Sequence, residues 1–154
     1  MYVWRMKALK AVITSGRDFQ DIGIFTRTMY GYHQQYDFHH LYYRQMFAAG
    51  RWVPVFAKDA MVPYTCVKPN WPKHGVKAAT LCNLDMLKTF DIDVVIGFEG
   101  GSGMKDIWYN CTMLGIPFLH INQDMKVFRH QMRGLGIKNC PKIPHNVMRK
   151  FSLA

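Results

Sequence analysis

The sequence predicts a three-layer α/β fold in which helices cover both faces of a central parallel sheet. Three observations lead there. Short apolar runs alternate with segments of helical periodicity, the links between them are short, and two of the apolar runs end in small-residue turns that open a helix. Alternation of this kind favours parallel strands joined by right-handed crossovers.

The first apolar run, Ala8 to Thr14, reads as a buried strand ending in the turn Ser15-Gly16-Arg17-Asp18. Residues 22–35 then place Ile22, Phe25, Thr26, Met29, Tyr30 and His33 at spacings of three and four, a core-facing helical stripe. Leu41-Tyr42-Tyr43 is a weaker strand signal. Residues 45–60 read as a helix interrupted by Pro54. Tyr64 to Val67 is a short strand between prolines, and Val76 to Phe90 a helix with Ala79, Cys82, Met86 and Phe90 on one side. The clearest strand, Asp93 to Phe98, runs directly into Glu99-Gly100-Gly101-Ser102-Gly103. A helix over 104–114 follows, stopped by Gly115 and Pro117, and Phe118 to Ile121 reads as the last strand.

Composition bounds the rest. A chain of 154 residues with 49% apolar residues suggests one domain with a packed core. No run of 18 apolar residues marks a membrane span. The net charge is +10, and from Asp124 onward seven Lys/Arg face one acid. The chain therefore reads as a domain over 1–123 and a basic extension over 124–154, suited to a solvated surface or to nucleic acid. Cys66, Cys82, Cys111 and Cys140 lack C-x-x-C spacing, and residues 1–10 lack an apolar leader core. Reduced thiols and a cytoplasmic setting are the expectation. None of the seven histidines has H-E-x-x-H spacing, so no metal is expected, nor any resident cofactor. The aromatic stretch from Tyr30 to Tyr43 suits packing or an oligomer interface.

Two turns carry the candidate chemistry. In parallel sheets ligands bind at the carboxyl ends of the strands, where both turns fall. Around Ser15 and Gly16 small residues let backbone amides approach an anion, with Arg17 adding a planar donor fork. Asp18 suits either a helix cap or a ribose hydroxyl. At Gly100, Gly101 and Gly103 the loss of side-chain bulk coincides with the start of a helix, whose free N–H groups and dipole favour phosphate. Ser102 is a further donor, and Asp106 falls in the first helical turn. A third stretch, Trp71 to Lys77 followed by Asn83, offers an aromatic face, lysines and an amide.

These strings together resemble the SLOG superfamily, in its YspA/YpsA-related branch. The N-terminal motif is similar to Thr14-Ser15-Gly16-Arg17-Asp18-Phe19-Gln20-Asp21. The middle segment is similar to Met61 through Trp71, and the following helix to Gly75-Val76-Lys77-Ala78-Ala79 and Cys82 through Leu87. The last motif is similar to Gly100-Gly101-Ser102-Gly103-Met104-Lys105-Asp106 with Gly115-Ile116-Pro117 downstream. The resemblance covers residues 7–121 and implies a Rossmann-like fold and a nucleotide or nucleotide-derived ligand, ADP-ribose-like in type. The implied site is Ser15, Gly16, Arg17, Asp18, Trp71, Lys77, Asn83, Gly100, Gly101, Ser102, Gly103, Met104 and Asp106.

Three departures bear on function. Where the family carries a second glycine motif this chain has Arg44 through Gly50, with bulky Met46 and Phe47. The family's Arg before Asn is Cys82. Where the phosphoribohydrolase branch carries a catalytic Glu this chain has Ile107. The expectation is therefore a sensor or sequestering protein that forms homo-oligomers. The alternatives are hydrolysis of a nucleoside 5′-monophosphate or NAD-like glycosidic bond, and nucleic-acid binding through the basic tail.

Overall fold

A computed structural model describes residues 8–45, 48–101, 103–122 and 143–152 in full, and 127–130 by their backbone. Within these residues the strands are β1 (Leu9–Ser15), β2 (Phe38–Arg44), β3 (Tyr64–Val67), β4 (Val94–Phe98), β5 (Phe118–Ile121) and β6 (Val127–His130). They form one sheet in the order β3-β2-β1-β4-β5-β6. β1 to β5 are parallel throughout, and β6 lies antiparallel on β5. The fold is Rossmann-like, with the parallel sheet that the alternating pattern predicts. The strand order reverses between β1 and β4, which makes their carboxyl ends the switch point of the sheet.

The helices are α1 (Ile22–Tyr36), α2 (Val53–Ala60), α3 (Trp71–His74), α4 (Ala78–Thr89), α5 (Lys105–Leu114) and α6 (His145–Ser152). Strand residues alternate between the two sheet faces. Ala11, Ile13, Leu41, Tyr43, Val94, Ile96, Phe98, Leu119 and Ile121 point to the face covered by α1, α2 and α6. Val12, Tyr42, Val95 and Phe118 point to the face covered by α4 and α5. Both faces are buried, so the strands read as continuous apolar runs.

Local chemistry explains where elements begin and end. Asp21, rather than Asp18, caps α1, its carboxylate accepting from the Ile24 amide at 3.0 Å. Pro54 does not interrupt a helix. A 3-10 turn over Ala49–Trp52 leads into α2, and Pro54 sits in its first turn, where no N–H is needed. Gly115 ends α5 at φ +70°. In the aromatic stretch Tyr32, Tyr36, Phe38, Tyr42 and Tyr43 are buried, so it serves packing.

The strand β6 and helix α6 lie in the segment read as a basic extension, beyond the strand expected to be last. β6 pairs with the edge of β5, and α6 packs on α1 and α2 with Phe151 fully buried. Lys150 reaches Asp59 of α2 at 3.0 Å, and Tyr30 of α1 donates to the same carboxylate at 2.6 Å. The described part of residues 124–154 is thus built onto the 1–123 region. Lys126, Arg133, Lys138, Cys140 and Lys142 lie outside the described residues, as do Met46, Phe47 and Ser102.

Candidate functional site

The two glycine turns meet at the switch point. The Gly16 amide donates to the Phe98 carbonyl at 2.9 Å, and the Asp18 amide donates to the Gly100 carbonyl at 2.8 Å. A Cβ on Gly16 would overlap the Gly100 carbonyl, and one on Gly100 would overlap the backbone of Phe19. Glycine is required at both places by the contact between the two main chains. Gly101 and Gly103 have φ of +75° and +120°, which an L side chain disfavours. The Asp18 carboxylate lies against Gly101, and the Arg17 side chain against Gly103.

Underneath, the turns rest on aromatic rings. Phe19 packs on Phe98 at 4.9 Å between centroids, Phe98 on Phe25 at 5.3 Å, and Phe25 on Phe151 at 6.1 Å. Trp52 closes the group against Phe25 at 5.5 Å. The buried Ser15 hydroxyl donates to the Gly16 carbonyl and accepts from the Ala49 amide at 3.2 Å, which binds the end of β1 to the turn before α2. Its hydroxyl is thereby held inside the fold, and the Gly16 and Asp18 amides are spent on joining this turn to β4 and Gly100, so neither is free to hold the anion expected there.

Two cavities flank the strand-to-helix turn after β4. One, of about 360 Å³, lies on the α5 side and is lined by Glu99, Gly101, Gly103, Met104, Lys105, Trp108, Phe118 and His120. The other, of about 410 Å³, lies on the α1 side between Asp18, Gln20, Asp21, Glu99, Gly100 and Asn122. The first has an aromatic wall, a lysine and the N-terminal end of α5, where backbone N–H groups favour an anion. The second is walled by three carboxylates, which disfavours phosphate there. Gly97 shapes the first cavity from below: a Cβ there would lie 2.7 Å from Phe118 Cζ and 2.8 Å from Met104 Sδ. Its absence lets both side chains fill the floor.

The sequence-predicted residues fall into three groups. Gly16, Arg17, Asp18, Gly100, Gly101 and Gly103 lie together, with Met104 in the cavity floor. Asn83 and Asp106 form a second pair, the buried Asn83 Nδ2 donating to Asp106 Oδ2 at 3.1 Å and so tying α4 to the first turn of α5. Trp71 and Lys77 sit exposed on the segment leading into α4 and line neither cavity. Five cavity residues were not singled out from sequence: Glu99, Lys105, Trp108, Phe118 and His120. The available signals were the spacing of Lys105 and Trp108, one turn apart after the glycines, and the two-residue period of Phe118 and His120.

Among the described residues no group of three His, Cys, Asp or Glu side chains could hold a metal. Burial pushes the Cys111 thiol up to about 12 and raises Cys82 as well, away from nucleophilic thiolates. Ile107 is fully buried in the core beneath α5, so its position does not face the cavity. No helix among the described residues is long and apolar enough to cross a membrane.

No family model matches the chain, and no curated protein does. Among solved structures, MurG of Acinetobacter baumannii is similar over 75% of this chain, with 18% identity and a TM-score of 0.47. The match spans 35% of that protein's chain, about a third of its length.

Proposed function

We propose that the protein binds a nucleotide-type ligand, in the manner of the SLOG-like sensors its motifs resemble, and does not turn it over. The observation that carries this reading is the contact of the Gly16 and Gly100 main chains beside a cavity lined by Lys105 and Trp108. Phosphate sits at the amides around Gly103 and the start of α5, countered by Lys105 and Arg17. The base stacks on Trp108, and Glu99 accepts from sugar hydroxyls. Where the phosphoribohydrolase branch carries its catalytic Glu this chain has the buried aliphatic Ile107, so the residue that the resemblance would assign to glycosidic hydrolysis is missing.

Mass spectrometry of small molecules released from natively purified protein, followed by calorimetric titration with nucleoside monophosphates and ADP-ribose, tests this. Stoichiometric binding without product is expected, with Trp108→Ala weakening it about ten-fold or more, as loss of a stacked base does. Failure of every nucleotide to bind at millimolar concentration overturns the reading, and product formation overturns the binding-only part of it.

A further inference from the structure

We propose that the outer face of α5 docks a second copy of this chain, and that the docked copy walls off the cavity at the switch point. Among the described residues seven large apolar side chains are exposed, and four of them belong to this one helix: Trp108, Tyr109, Met113 and Leu114. Tyr109 and Met113 are 63% and 67% exposed, while Ile107 and Cys111 alone turn to the core. Clustered apolar exposure of this kind marks a contact surface rather than ordinary surface scatter.

Charge selects the occupant. From Ile107 to Pro117 no residue is charged, in a chain whose net charge is +10. Two such basic chains repel over most of their surface, so self-association is least opposed where cations are missing. An acidic protein or a polyanion would instead seek cations, and this face offers Lys105 alone. The groove along the helix, about 530 Å³, is lined by Lys105, Asp106, Trp108, Tyr109 and Thr112. A cation beside an anion makes the groove self-complementary: a two-fold operator can set Lys105 of each copy against Asp106 of the other. Asn83 holds the Asp106 carboxylate in place for that pairing.

Lys105 and Trp108 line both this groove and the cavity beside Gly101. A copy seated in the groove therefore covers the open side of the cavity and excludes water from whatever it holds. This closure rests on the ligand reading above; the docking does not.

Sedimentation of the full chain across concentrations from about 1 to 100 µM, the range of a moderate self-affinity, tests the docking. A dimer is expected for the unaltered chain, and a monomer for Tyr109→Glu and Met113→Glu with unchanged circular dichroism. Lys105→Asp and Asp106→Lys should each be monomeric alone and dimerise when mixed in equal amounts, because every pair across the mixed interface is then opposite in sign. An unaltered chain that stays monomeric gives the face to another protein and overturns the proposal. Dimers that survive Tyr109→Glu, or a mixture that stays monomeric, overturn it as well. None of these readouts contains a ligand, so their failure is separable from a failure of the nucleotide titrations.

Discussion

The two faces of the sheet are covered unequally. On the α1, α2 and α6 face, Phe25, Phe56, Trp52, Tyr32 and Phe151 are essentially sealed from solvent, and Phe25 and Trp52 interlock with Phe98 and Phe19. On the α4 and α5 face, the core is smaller, and α5 turns more large apolar side chains outward than inward. The difference separates two uses of apolar residues. On the first face they hold the backbone turns of the site from beneath; on the second they stand in its wall and beside it, where a ligand or another chain can reach them.

Truncating each face in turn is the strongest way to break this comparison. Phe151→Ala removes a fully buried ring and should cost about 3 to 5 kcal/mol by denaturant unfolding. Trp108→Ala, at a side chain 42% exposed, should cost under about 1 kcal/mol while lowering ligand affinity. Comparable losses from the two would erase the distinction.

A smaller effect sharpens it from the other direction. Ala48 has φ +50° and ψ −138°, a region that glycine occupies far more easily, at the turn leading into α2. Ala48→Gly should stabilise the fold by about 1 kcal/mol, the relief of strain outweighing the extra freedom glycine gives the unfolded chain. A lower melting temperature would show that the strained turn is not a weak point of the sealed face.

The mildest effect concerns the pH dependence of α6 docking. The hydrogen bond from Tyr30 holds the Asp59 carboxyl below its ordinary value of 3.8, assisted by Lys150, and burial opposes part of that. A carboxyl lowered by folding adds stability above its unfolded value and loses it as the pH falls through the folded one. Stability should therefore decline below about pH 4, and Asp59→Asn should flatten that part of the curve in thermal melts. An unchanged acid limb in the variant would show that the link contributes nothing to the docking.

Much of the fold was legible because its signals are local. Asp93 to Phe98 is apolar enough to be a buried strand wherever it lies, and Gly115 before Pro117 stops a helix without help from its surroundings. The turn glycines were legible for a related reason: their role is played by the main chain. What escaped was decided by partners distant in sequence. Val127 to His130 becomes a strand by pairing with the open edge of β5. The eight residues of α6 are too few to hold a helix alone and depend on Phe151 finding Phe25 and Tyr30. Trp71 and Lys77, expected as ligand contacts from their residue types, line neither of the two switch-point cavities.

By itself the sequence determined the alternation of strands and helices, the parallel sheet and the two glycine turns, because hydrophobic period and backbone sterics act over neighbouring residues. Only the tertiary structure decided that those turns touch, that Lys105, Trp108, Phe118 and His120 share one cavity, and that α5 is left with an uncovered apolar face. These are properties of which elements become neighbours, and that is fixed by strand order and packing across the sheet rather than by any one segment.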